Sequence, residues 1–271
     1  MPLAHLNDTE LFYIEVGEGL PCLVMHGGLG LDHTWLHPWL DPLEDVMHLV
    51  YYDHRGNGRS GRPPLETLTF EWLCADADAL RKHLGFEEVT VLGYSYGGFV
   101  ALEYALRYPE RLGRLLLLDT APTFDYGEEI EANARRKGAT QEQLDALDAE
   151  VTDEAALRQQ LETVLPLYWH HFDADLGERI LSTTKLSIEA YKAGAALVEG
   201  WSVVPRLGDV SVPTLIVVGR DDFICPPSQA RILHEGIPHS ELVVFERSGH
   251  FPYIEEPDAF FDAVRGWLQR T

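Results

Sequence analysis

Val91-Leu92-Gly93-Tyr94-Ser95-Tyr96-Gly97-Gly98 decides how the rest of this chain is read. The pattern is G-x-S-x-G, and its flanks give it meaning. Before it, Glu88 to Leu92 carries the apolar, β-branched run Val-Thr-Val-Leu, which predicts a short strand. After it, Phe99 to Tyr108 has helical spacing and good helix formers, and Pro109 stops it. A serine on the sharp turn between strand and helix is a nucleophile elbow. Such a turn brings flanking chain so close that a side chain at Gly93 or Gly97 would collide with it. It lifts the Ser95 hydroxyl above the sheet edge, at the positive end of the following helix. The Tyr96 N–H is then free to face a developing oxyanion.

Upstream, residues 3–16 read as two strands around the turn Asn7-Asp8. Leu20 to Met25 is a continuous apolar run of the buried-strand type, ending abruptly at His26-Gly27-Gly28-Leu29-Gly30. Glycines directly after a buried strand let backbone approach a ligand. Beside an elbow, this loop is expected to complete an oxyanion hole, with the Gly28 N–H pointing where that of Tyr96 points. Val46 to Tyr52 is another buried strand, closed by the polar loop Asp53 to Ser60, in which Asp53 and Arg55 are expected to brace one another and neighbouring loops. Thr69 to Leu84 is an amphipathic helix with Phe70, Leu73, Ala77 and Leu80 on one face, ended by Gly85. Leu115 to Leu118 forms a further strand.

From Ala121 to Pro205 the strand-like runs cease and helical pieces replace them. Thr140-x-x-Gln143 reads as a capping box and Thr152 as another N-cap. A helical insertion after a buried strand reads as a lid over the site. His170-His171 offers no metal site, because adjacent histidines on a helix point apart. Beyond Pro205 the alternation resumes: a strand from Pro213 to Val218, a helix from Ser228 to Glu235, a strand from Glu241 to Phe245 and a closing helix from Pro257 to Gln269. The expected fold is α/β, a mostly parallel twisted sheet with an antiparallel start and helices on both faces. Its core would span 1–120 and 206–271, with a helical lid at 121–205.

The chain has 271 residues, 45% hydrophobic and 24% charged, enough for a sizeable core. Its net charge of −23 argues against nucleic acid or an anionic membrane surface as partner. No apolar stretch reaches the length of a membrane span, and the N-terminal sequence does not read as a signal peptide. Cys22, Cys74 and Cys225 are odd in number and far apart, so free thiols and a cytoplasmic location are expected.

A serine hydroxyl needs a base to take its proton, and the base needs a third group to orient it. In a fold of this kind the partners follow in the order Ser, Asp or Glu, His, each in a loop after a strand. Asp221 or Asp222 follows one such strand and His250 the next. Cys225, on the loop of Asp222, is expected to link thiol modification to activity by displacing that loop.

HGGLG, YDHRGNGRS, GYSYGG, GRDD and SGH together resemble the stations of the α/β-hydrolase superfamily, over nearly the whole chain outside the lid. The resemblance is closest to the proline iminopeptidase (peptidase S33) branch. It implies Ser95 as nucleophile, Asp222 as acid, His250 as base and the Gly28 and Tyr96 N–H groups as oxyanion hole, with no metal and no cofactor. Asp119 is the rival acid, since some members carry the acid after the preceding strand. The chain departs from the branch at Leu29, in place of proline, and at His54, in place of glutamine. Phe223 stands where some iminopeptidases carry a glutamate that holds the substrate amine. Glu199, near the end of the lid, is the candidate to replace it, and Tyr94, Phe223 and Glu199 together are the expected substrate-binding residues. The function implied is a serine hydrolase acting on a small ester or amide through an acyl-enzyme. The alternatives are a proline iminopeptidase acting on short peptides and a non-catalytic ligand receptor on the same fold. A serine at the elbow excludes aspartate-nucleophile chemistry such as dehalogenation and epoxide opening.

Overall fold

In the computed structural model, which describes residues 2–271, eight strands form one sheet. They are β1 (Leu3–Leu6), β2 (Thr9–Val16), β3 (Leu20–Met25), β4 (Met47–Tyr52), β5 (Val89–Tyr94), β6 (Leu112–Leu118), β7 (Thr214–Gly219) and β8 (Ser240–Phe245). Their order is β1-β2-β4-β3-β5-β6-β7-β8. β1 pairs with β2, and β2 with β4, antiparallel, and every later pairing is parallel.

The central strands are apolar on both sides because both faces are covered. Val91 of β5 and Leu23 of β3 join one core with α1 (Phe70–His83) and α2 (Tyr96–Arg107). Their neighbours Leu92 and Val24 point the other way, into a core that holds Trp35, Leu40 and the C-terminal helix residues Phe260, Val264 and Trp267.

Between β6 and β7 lie five helices, α3 (Gly127–Arg136), α4 (Gln141–Leu147), α5 (Glu154–Val164), α6 (Ala174–Thr183) and α7 (Ile188–Val198). The chain leaves and returns at one place: Thr123 bridges Ser202, and the Val203 N–H donates to the Pro122 carbonyl at 2.9 Å. That place follows β6, the neighbour of β5, so the insertion stands over the end of the strand that carries Ser95. The remaining helices are α8 (Pro227–Gly236), the short α9 (Pro252–Glu255) and α10 (Pro257–Leu268).

Several expectations need adjusting. α2 begins at Tyr96 rather than Phe99, running through Gly97 and Gly98, because tight packing at these positions outweighs their poor helix propensity. The Thr140–Gln143 capping box is present, but the next helix is capped by Asp153, whose carboxylate accepts the Ala156 N–H, and not by Thr152. Arg55 and Asp53 do not brace one another. Arg55 is buried against Asp76 of α1, through Nε at 2.6 Å and Nη2 at 2.8 Å, and reaches Asp8 at 3.0 Å. Asp53 accepts from the His33 and Arg59 N–H groups at 3.0 and 2.7 Å. No helix among the described residues is long and apolar enough to cross a membrane.

Candidate active site

β5 ends at Tyr94 and α2 begins at Tyr96, so the reversal is made at Ser95 alone, which adopts φ 54° and ψ −123°. Only its surroundings hold a non-glycine residue there. The Ser95 N–H donates to the Leu118 carbonyl at 3.0 Å, and its carbonyl accepts from Gly98 N at 2.8 Å and Thr120 Oγ1 at 2.7 Å. A Cβ added to Gly97 would lie 2.1 Å from the Met25 carbonyl oxygen, a backbone atom with no room to retreat. The second glycine of the motif is therefore a contact requirement between elbow and β3.

His250 and Asp222 come from the turns after β8 and β7. The His250 Nδ1 lies 2.7 Å from Asp222 Oδ2, with both side chains buried. The other oxygen, Oδ1, accepts the N–H groups of Ile224 and Cys225, each at 3.0 Å, which fixes the carboxylate plane. Donation of Nδ1–H to this carboxylate leaves Nε2 with its lone pair. The imidazole is further held between aromatic rings, with Tyr94 at 4.9 Å and Tyr168 at 5.2 Å between centroids. Its backbone N–H donates to the Tyr168 carbonyl at 2.6 Å.

Asp119, the rival acid, is fully buried in a left-handed conformation with φ 45°. Its Oδ1 accepts the Gly219 N–H at 2.9 Å, while Oδ2 has no partner. Burial first, and then the charge of Asp222, push its carboxyl well above the usual carboxylate range. Asp221 is half-exposed, and the His170 ring contacts its carboxylate.

Ser95 and His250 line one cavity of about 190 Å³, together with Gly28, Tyr94 and Tyr96. No hydrogen bond joins the serine hydroxyl to the imidazole. Leu157, Gln160, Leu161 and Val164 of α5 form one wall, and Tyr191 and Val198 of α7 another. Leu29, Trp35, Phe99 and Phe124 complete a surface on which no Asp, Glu, Lys or Arg appears.

The family model for the α/β hydrolase fold matches residues 21–257. This chain belongs to the α/β-hydrolase family. It is 28% identical to the AB hydrolase superfamily protein YclE of Bacillus subtilis, covering 99% of this chain and 98% of that one. It is 27% identical to the proline iminopeptidase PfmaB of Pestalotiopsis fici, covering 98% of both. Among solved structures, a thermophilic esterase from Thermogutta terrifontis shares 30% identity over 97% of this chain and 94% of that one, with a TM-score of 0.72. An enol-lactonase from Burkholderia xenovorans shares 26% identity over 99% of this chain and 100% of that one, with a TM-score of 0.79.

In this hydrolase the structure brings Ser95, His250, Gly28, Tyr96 and Tyr94 to one cavity, with Asp222 directly behind His250. Two expected substrate-binding residues are not there. Phe223 is buried in a small separate core with Ala134, Leu144 and Leu167, because the turn after β7 directs it into the insertion while Ile224 and Cys225 face the cavity. Glu199 is exposed: α7 ends at Val198, which faces the cavity, and the next residue points away from it. The α5 wall went unread in the sequence, although Leu157, Gln160, Leu161 and Val164 keep the i, i+3, i+4, i+7 spacing of one helix face.

Cys225 also lines the cavity, with its Sγ accepting from the Tyr126 hydroxyl at 3.8 Å. A reagent on this sulfur would therefore fill the cavity itself rather than act by displacing the loop. Burial raises the thiol well above its ordinary value, so little thiolate is present at neutral pH. Methyl methanethiosulfonate is expected to inactivate slowly, faster as pH rises, with protection by a bound competitive inhibitor. Cys225→Ala should keep its own untreated activity under the same exposure. Inactivation of that variant at the wild-type rate would place the reactive group elsewhere.

Proposed function

We propose that this hydrolase cleaves small uncharged esters, and amides more slowly, through an acyl-enzyme on Ser95. The Ser95 Oγ attacks the substrate carbonyl while His250 Nε2 takes its proton, and Asp222 orients and stabilises the resulting imidazolium. The Gly28 and Tyr96 N–H groups receive the oxyanion, since neither is spent on another acceptor among the described residues. His250 then returns the proton to the leaving group, and water attacks the acyl-enzyme by the same route in reverse.

The observation that carries the substrate class is the absence of any carboxylate from the cavity wall. An aminoacyl substrate brings a cationic amine, and removing its hydration without a counter-charge is costly. The net charge of −23 cannot replace a local carboxylate, because solvent screens it over about 8–10 Å. The apolar walls favour a neutral acyl group instead.

The second reading, a proline iminopeptidase, is favoured by relatives of that name that match nearly the full chain. The comparison that separates the two is made within amides, so that leaving-group chemistry cancels. Prolyl arylamide and its N-acetyl form should differ in kcat/KM by less than about tenfold here. An iminopeptidase would lose about 2–5 kcal/mol of transition-state binding on acetylation, and a loss of that size would promote it over the esterase reading.

A further inference from the structure

α3 approaches the candidate triad from outside the cavity with Glu129, Asn133 and its C-cap Lys137 at i, i+4 and i+8, on one face. Glu129 accepts from Ser228 Oγ at 2.5 Å, and Asn133 Nδ2 donates to the Phe223 carbonyl at 3.3 Å. Lys137 does something different. Its Nζ donates to the Asp221 carbonyl at 2.9 Å and to the Trp169 carbonyl at 2.8 Å. The Asp221 carbonyl belongs to the peptide that begins Asp222. The Trp169 carbonyl follows Tyr168, whose own carbonyl receives the His250 N–H. One ammonium group thus spans the backbone that carries Asp222 and the segment that receives the His250 N–H.

The far side of this arrangement is closed by Glu255 of α9. Its Oε1 accepts the His170 and His171 N–H groups at 2.7 and 3.1 Å, and its Oε2 accepts the Gly249 N–H at 2.7 Å. The segment 168–171 is therefore tied to the base loop by Glu255 and to the acid loop by Lys137. Independently of Lys137, the Asp221 N–H donates to the Ser248 carbonyl at 3.0 Å and the His170 ring contacts the Asp221 carboxylate, so what Lys137 adds is the tie between the Asp221 backbone and the segment 168–171.

We propose that Lys137 is a positioning residue, setting the spacing of Asp222 and His250 by clamping the Asp221 and Trp169 carbonyls together. It touches neither substrate nor the reacting atoms, and its contribution is alignment. Because it is carried by the first helix of the insertion, docking of that helix and assembly of the triad become one event. This inference rests on the triad reading above.

The test is steady-state kinetics on an aryl ester, with rates expressed per active site titrated by a fluorophosphonate, so that misfolded molecules are not counted. Lys137→Met should lower kcat by roughly tenfold to a hundredfold, the range a displacement of about 1 Å produces, with KM changed by less than about twofold. Lys137→Arg, which keeps donors able to reach both carbonyls, should recover to within about fivefold of wild type. A wild-type kcat in Lys137→Met, a rise in KM at constant kcat, or an Arg variant as slow as the Met variant would each overturn the proposal. If Lys137→Met does not fold, Lys137→Gln, which removes the charge and shortens the side chain by one bond, is read by the same criteria. Failure of the wild-type protein to label at Ser95 would instead remove the triad reading itself, so the two failures are distinguishable.

Discussion

Ser95→Ala is expected to lower kcat by about three orders of magnitude or more while leaving the melting temperature close to that of the wild type. The elbow is held by backbone bonds from Ser95 to Leu118, Gly98 and Thr120, none of which involves the hydroxyl. Alanine can therefore occupy the same left-handed conformation, and only the nucleophile is lost. His250→Ala should fall by a similar factor, and the double variant should be little worse than either, because serine and histidine act as one unit. Residual turnover above the water rate would come from the Gly28 and Tyr96 N–H groups and from binding. Ester kinetics on purified variants, with circular dichroism to check the fold, decide the matter. Turnover by Ser95→Ala within tenfold of wild type would remove the acyl-enzyme mechanism.

Asp222→Asn is expected to cost about 10³–10⁴ in kcat, whereas Asp119→Asn should stay within about threefold of wild type. The geometry explains the contrast. An asparagine at 222 can still accept the Ile224 and Cys225 N–H groups through Oδ1, so the loop keeps its shape. Its amide nitrogen, however, would then face His250 Nδ1 with a donor where an acceptor is needed. The ring would adopt the other tautomer, with the proton on Nε2 and no lone pair for the serine proton. Asp119 is different because its Oδ1 is spent on the Gly219 N–H while Asp222 is the carboxylate against His250 Nδ1, and burial with the neighbouring Asp222 charge disfavours its ionised form. Its Oδ1 bond to Gly219 N survives the change to asparagine. A larger kcat loss at Asp119 or Asp221 than at Asp222 would reassign the acid.

What the sequence determined by itself was whatever local chemistry dictates. The apolar β-branched runs ended at glycines, and that pattern placed β3, β5 and β7. The G-x-S-x-G turn carried its own explanation, since Gly97 meets the Met25 carbonyl across the elbow. The order of Ser95, Asp221 or Asp222, and His250 along the chain, each after a strand, was legible because parallel strands deliver their following loops to one sheet edge, and the family resemblance chose Asp222. Pairings between distant segments were not legible. Arg55 found Asp76 on α1, and not its neighbour Asp53, because a helix packed on the sheet buried a carboxylate beside it. Phe223 and Glu199 left the cavity for a reason no spacing rule contains, namely the direction in which a turn and a helix end release their side chains. Lys137 was one more charged residue in a polar helix until the fold carried it between the Asp221 and Trp169 carbonyls. Sequence periodicity reports which face of an element is apolar, but the identity of the facing group depends on how elements dock, and only tertiary packing decides that.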